Sequence, residues 1–211
     1  LIMELSPIQY FTISIIPVLL AITVHEAAHG YAAKHFGDKT AYFLGRITLN
    51  PIKHIDPIGT VVIPGMLLLL SAPFLFGWAK PVPVNFSNLN NPKKDMMWVA
   101  LAGPASNLIW AIILGLFKSS GASYALFVIG MAQVGIMINL VLMLLNLLPI
   151  PPLDGGRMAV SLLPSPWSYK LASIERYGMF ILIFLIVSGL LSAILLPLLR
   201  FFQGTLIGIF V

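Results

Sequence analysis

The sequence predicts an all-α polytopic membrane protein. It reads as one membrane-embedded domain over residues 1–211, a bundle of about five to six transmembrane or re-entrant segments with a short edge-strand region between the second and third. Three observations carry that expectation. The chain is 59% hydrophobic and only 9% charged, against about 25% charged for an ordinary soluble domain. Its apolar residues gather in long runs divided by proline, glycine and basic residues. The stretches of mixed polarity, 34–57 and 78–95, are too short to fold as a second module. The formal net charge of +5 does not point to a nucleic-acid partner, because in a membrane protein Lys and Arg chiefly mark the loops that face the cytoplasm. The absence of cysteine excludes disulfides and thiolate metal ligands.

Segment one spans Pro7 to Phe36, with Ser6-Pro7 as N-cap and first turn and Pro17 expected to kink it. It follows Glu4 rather than a basic region, so a cleaved leader is not expected. Segment two, Ile58 to Phe76, is interrupted by Pro64-Gly65 and Pro73. Segment three covers Met96 to Phe117, and segment four covers Ala122 to Leu148. A short amphipathic piece, Met158 to Leu163, precedes segment five, Tyr177 to Leu196. The stretch after Pro197, Leu198 to Val211, is too short to cross by itself. In "WAKPVPVNF" the alternating Val82 and Val84 between prolines suit only an edge strand, one able to bind an extended peptide by strand addition.

Near the end of segment one stands "HEAAH", residues 25–29. On a helix this H-E-x-x-H pattern projects two histidines from one face, where they can share a zinc ion with the glutamate beside the metal's water. Zinc lowers the pKa of such a water to about 7, and a carboxylate within reach takes its proton during attack on a carbonyl. Left unpaired in the membrane, each of these polar groups would cost a few kcal/mol. Metal coordination supplies the partner. At about 1.5 Å per residue, His25 lies roughly 27 Å of helix beyond Pro7, toward the far face of a hydrocarbon core of about 30 Å.

A catalytic zinc site ordinarily has three protein ligands and an open position. The remaining candidates are His35, His54 and the carboxylates. His35, six residues beyond His29, turns away from the zinc face at about 100° per residue. Asp154, after the proline-rich "PIPPL" and before Gly155-Gly156, reads either as an inward-aimed ligand or as a simple turn aspartate.

"HEAAH" in a membrane helix, "AGPASN" opening a later one and "NLLPIPPLDGG" further on together resemble the site-2 protease family of intramembrane zinc metalloproteases, with the three elements in the family's order. The resemblance implies that His25, His29 and Asp154 hold one Zn2+ and that Glu26 is the general base. It places Asn146 near the active site, with a role toward substrate backbone or a developing oxyanion. Gly103 and Asn107 fall on the family's G-x-x-x-N element, where small residues allow close helix contact, and Asn107 joins Asn146 as a candidate substrate contact. "GRITLNPIKHIDPIGT" and "FGWAKPVPVN" resemble the compact prokaryotic form, which lacks a PDZ domain. His54 and Asp56 within the first of these are candidates for supporting the metal site or for gating.

If both histidines and Asp154 hold one metal, segments one and four end at the same membrane face. The number of crossings between them must then be even, and segment two, broken by prolines, is the expected re-entrant hairpin. This arrangement gathers Lys34, Lys39, Arg46, Lys53, Lys80, Lys93, Lys94, Arg157, Lys170 and Arg176 on one side and leaves Lys118 and Arg200 opposite. By the positive-inside rule the zinc then lies near the cytoplasmic face of a prokaryotic cell membrane. The expected activity is hydrolysis of a peptide bond in or near the transmembrane helix of another membrane protein, itself lying in the lipid bilayer, with water reaching the site past Asn107, Asn139 and Asn146. The competing reading is a membrane metal-binding protein or transporter that uses the same polar residues without proteolysis. The sequence does not define the oligomeric state.

Overall fold

The computed structural model of the protein describes residues 6–70, 77–120 and 126–210. Helix α1 covers Pro7–His35. It starts from a reciprocal capping box: Ser6 Oγ accepts from the Gln9 amide, and Gln9 Oε1 accepts from the Ser6 amide. Two otherwise orphaned donors are thereby satisfied. The helix continues through Pro17 and stops where Gly37 adopts φ +111°. A short helix α2, Thr40–Phe43, follows.

The described part of segment two is short. A π-helical turn, Pro57–Val62, leads into α3, Ile63–Leu69. At about 1.5 Å per residue these thirteen residues reach roughly 20 Å, short of a hydrocarbon core of about 30 Å. The returning chain meets its own start: the Trp78 amide donates to the Gly59 carbonyl (3.1 Å), and Thr60 Oγ1 donates to the Trp78 carbonyl (2.8 Å). Pro73 lies outside the described residues.

Among the described residues, four helices are long and apolar enough to cross a membrane: residues 9–35 of α1, α4 (Pro92–Ser119), residues 127–146 of α5 (Leu126–Asn146) and residues 190–209 of the last helix, α9 (Leu190–Phe210). Between α5 and α9 lie three shorter helices, α6 (Asp154–Leu162), α7 (Ser165–Ser173) and α8 (Gly178–Val187). The expected segment five is therefore divided. The chain breaks at Gly189, with φ +76°, and the helix beyond it runs straight through Pro197. The stretch after Pro197 belongs to a spanning-length helix, and the true boundary is the glycine.

α1, α4 and α5 pack on one another, and α9 covers α4 and α5. Ala111, Leu140, Met143, Leu144, Leu195 and Leu199 form the buried core where these last three helices meet. Much of the outer surface is large and apolar, with Phe11, Leu69 and Phe180 all more than 60% exposed. A soluble monomer rarely shows such a belt, whereas lipid tails cover it at no cost. The chain is a multi-pass membrane protein.

The expected edge strand is not formed. Among the described residues there is no strand, and residues 79–85 are an irregular strap. Pro81 and Pro83 have no N–H with which to build a ladder. The one N–H between them, on Val82, is used elsewhere.

Candidate metal centre and the cavity around it

The helical period puts His25 and His29 one turn apart on the inner face of α1. Their imidazoles meet edge to face with centroids 4.7 Å apart. Asp154, the first residue of α6, arrives from the other side. Its Oδ2 lies 3.2 Å from Nε2 of each histidine, and the two Nε2 atoms are 3.1 Å apart. Among the described residues these three form the group of histidine and carboxylate side chains able to hold an ion.

The protonation of the imidazoles follows from their outer nitrogens. His29 Nδ1 lies 2.7 Å from the Val99 carbonyl, which can only accept, so Nδ1 carries the proton. His25 Nδ1 lies 2.6 Å from Asn107 Oδ1. The orientation of that amide is set in turn: Asn107 Nδ2 donates to the Ala21 carbonyl (3.2 Å) and to Asn139 Oδ1 (2.9 Å), while Asn139 Nδ2 donates to the Gly135 carbonyl (2.8 Å). With each imidazole neutral and its proton on Nδ1, both Nε2 lone pairs face Asp154 Oδ2, which is buried without a hydrogen-bond partner. Three lone pairs then converge on one point. Donor atoms spaced 3.1–3.2 Å apart suit a cation with bonds of about 2 Å and tetrahedral directions, as for zinc. The donor set fits the ion.

Gly103 explains how α4 comes so close. A Cβ there would lie only 2.6 Å from Cε1 of both His25 and His29, so glycine alone leaves room for the two rings. This is the packing role expected of the G-x-x-x-N element. Asn107, expected as a candidate substrate contact, is fully buried, with its side-chain polar atoms bonded to His25, Ala21 and Asn139, where its Oδ1 orients the His25 ring. Asn139 borders a cavity with almost wholly apolar walls, including Ile16, Leu20, Trp110 and Leu114.

Glu26, the next residue on α1, directs its carboxylate toward the strap, and its Oε2 accepts the Val82 amide at 2.6 Å. A cavity of about 150 Å³ is bordered by His25, Glu26, His29 and Asp154 together with Asn146, Pro81, Val82, Val84 and Arg157. Asn146 borders this cavity, with its Nδ2 donating to the Leu142 carbonyl. His54 and Asp56 are not part of this wall. Asp56 caps the π-helical turn, its Oδ1 accepting from the Ile58 and Gly59 amides (3.1 and 2.7 Å). His54 is buried, with Nε2 3.0 Å from the Thr48 carbonyl.

Sequence reasoning missed two side chains. Arg157 faces the cavity one helical turn after Asp154, with its guanidinium 5.2 Å from the centre of the Phe86 ring and 3.6 Å from Glu175. The i, i+3 spacing from Asp154 was the available signal. Asp38 is fully buried just beyond α1, where it accepts from the Thr40 amide (3.0 Å), the Asn85 amide (2.7 Å) and Asn88 Nδ2 (3.2 Å). Burial pushes its carboxyl up, but these donors together with the Thr40 hydroxyl outweigh burial and hold it below its ordinary value. An aspartate two residues before a threonine, straight after a helix-ending glycine, was the local cue.

Fold and donor set together define a multi-pass membrane protein built around a metal centre. Residues 114–189 match the model of peptidase family M50, a stretch that includes Asp154 and Asn146 but not the paired histidines. The protein described as "Putative zinc metalloprotease YwhC" of Bacillus subtilis (strain 168) is 40% identical over 97% of this chain and 93% of its own length. "Putative zinc metalloprotease Rip2" of Mycolicibacterium smegmatis is 30% identical over 89% of this chain and 73% of its own length. The Rip2 protein of Mycobacterium tuberculosis (strain H37Rv) is 28% identical over 89% and 72%. No solved structure matches the chain. The chain belongs to peptidase family M50, the site-2 protease family, and is a zinc metalloprotease.

Proposed function

We propose that this protein is an intramembrane zinc protease that hydrolyses a peptide bond in or near the transmembrane helix of another membrane protein. The observation that carries the reading is the convergence of His25, His29 and Asp154 beside the Glu26 carboxylate in one cavity. In this reading His25, His29 and Asp154 hold one zinc ion, which, when bound, polarises the scissile carbonyl and acidifies water. Glu26 is the base. Its Oε2 is held by the Val82 amide, so the other carboxylate oxygen takes the proton from the attacking water and passes it to the leaving amine. Asn146 and Arg157, which also border the cavity, present donors to the substrate carbonyl. A helical substrate shields each peptide bond within its own hydrogen bonds, so the helix must unwind locally before a bond fits a cavity of this size.

Glu26→Gln is expected to lower cleavage by about 10²–10⁴-fold, the range general acid–base catalysis supplies, while zinc content stays at one per chain. Proteomic trapping with that variant should enrich membrane-spanning proteins, and unchanged cleavage would sink the mechanism. We also place the zinc near the cytoplasmic face of a prokaryotic cell membrane, since the basic residues cluster on that side of the helices. The chain has no cysteine, so a single cysteine at Lys53 or at Lys118 reports the topology through an impermeant maleimide. In intact cells Lys118→Cys should react and Lys53→Cys should not. The reverse pattern overturns the placement.

A further inference from the structure

The strap over Glu26 is held by side chains that take no part in the metal centre. Between Pro81 and Pro83, which have no N–H, Val82 supplies the one backbone donor, and it goes to Glu26 Oε2 at 2.6 Å. The carbonyls immediately before it are gripped by Arg46, whose Nη2 donates to Lys80 O (3.0 Å) and Pro81 O (3.2 Å). The Lys80 amide donates to the His54 carbonyl (2.9 Å). Val82 itself is buried, with Cγ1 against α1 so closely that a Cβ at Gly30 would lie 3.2 Å from it.

Arg46 is aimed by local structure. Helix α2 ends with Gly45 at φ +62°, the Gly45 amide on the Tyr42 carbonyl and the Arg46 amide on the Ala41 carbonyl. This is the paired closure that a left-handed glycine permits, and it turns residue 46 back toward the strap. Guanidinium geometry then matters. The two N–H bonds of one Nη2 are fixed in the guanidinium plane and can meet two neighbouring carbonyls, whereas an ammonium is a mobile point charge.

We propose that Arg46 is a positioning residue for catalysis: by clamping the Lys80 and Pro81 carbonyls it sets the Val82 amide that orients the Glu26 carboxylate. The proposal rests on the reading of Glu26 as the base. It assigns Arg46 no contact with substrate, metal or the reacting atoms.

The test has one readout that does not depend on activity. Pro81 and Pro83 carry no amide hydrogen, so in 15N-valine protein the Val82 resonance, assigned through Val82→Ile, reports the strap–Glu26 bond by its hydrogen exchange. In the purified full chain in detergent, Arg46→Ala should speed Val82 exchange by about ten-fold or more, as loss of a hydrogen bond to a charged group does. Glu26→Ala should have a similar effect, and Arg46→Lys should fall between Arg46→Ala and the native chain. Cleavage of fluorescein-labelled casein, an unstructured probe that needs no unwinding, should lose about ten-fold in kcat with KM within about two-fold. Zinc content should be unchanged, and Arg46→Lys should recover part of the rate. Should Arg46→Ala fold poorly, Arg46→Gln removes the charge and keeps most of the bulk.

Unchanged Val82 exchange in the Arg46 variants overturns the proposal, and so does faster exchange with an unchanged kcat. Loss of zinc overturns it as well, because Arg46 would then be supporting the metal centre. Full activity of Glu26→Gln is a different failure: it removes the base reading and leaves the exchange result standing.

Discussion

The cavity has two walls, and they are held by opposite means. On the bundle side the two histidines are set by another helix: His25 by Asn107 of α4, itself held by Asn139 of α5, and His29 by the Val99 carbonyl of α4. On the loop side, side chains grip the main chain of the strap and its flank instead: Asp38 the amides of residues 40 and 85, and Arg46 the carbonyls of residues 80 and 81. The first wall has its geometry fixed by packed helices, so an error there moves the metal. The second is a set of bonds each worth little alone, so an error there should loosen the strap and leave the metal in place.

The comparison breaks most sharply at Gly103. Gly103→Val puts carbon into the space of both imidazoles, and we expect zinc content, measured on the purified protein, to fall close to zero with all cleavage lost. A retained ion would mean that α4 can move away at little cost. Asn107→Ala removes the acceptor that fixes the His25 ring, and zinc affinity in a chelator competition should drop about 10–100-fold, the usual effect of losing a group that orients a ligand. Equal affinity in that variant would deny the bundle wall its orienting role.

Asp38→Asn tests the other wall. The change should lower thermal stability in detergent by about 1–3 kcal/mol, the scale for hydrogen bonds to a charged group, with zinc content unchanged. The pH dependence has a definite sign. The Asp38 carboxyl is held below its ordinary value when folded, so the native state binds fewer protons than the unfolded one. Its stabilisation is complete above the unfolded carboxylate value of about 4 and is lost as pH falls through the lower native value. Asp38→Asn should therefore show a shallower loss of stability below about pH 4; an unaltered acid limb would remove Asp38 from the account. The smallest effect belongs far from both walls. Ser6→Ala deletes the cap of α1 and should cost about 1 kcal/mol, with zinc content and cleavage rate unchanged.

Some of these features were legible in residue order because they obey a short period or a local rule. The i, i+4 histidines, the glutamate between them and the Ser6-Pro7 start of α1 all belong to one helix, whose geometry is known in advance. The even number of crossings between Glu26 and Asp154 could be reasoned from the need for one metal. It agrees with two spanning-length helices, α4 and α5, lying between them and with the shortness of the described part of segment two. The misreadings share a cause. "VPV" looked like an edge strand from its alternation, yet a strand is defined by its partner, and the partner here is a carboxylate. The division near Gly189 and the continuity through Pro197 reversed the usual weighting of glycine and proline, because a proline well inside a long apolar helix is tolerated when packing on α4 and α5 holds its neighbours.

The sequence by itself determined the solvent of this protein, its helical class and the chemistry it carries, because composition and a five-residue motif answer to local physics alone. Tertiary structure decided which lone pairs meet, why a glycine must stand between two imidazoles, and that the Glu26 carboxylate is held by a backbone amide from a segment more than fifty residues away. Those are distances between chain segments whose separation in sequence leaves no periodic trace.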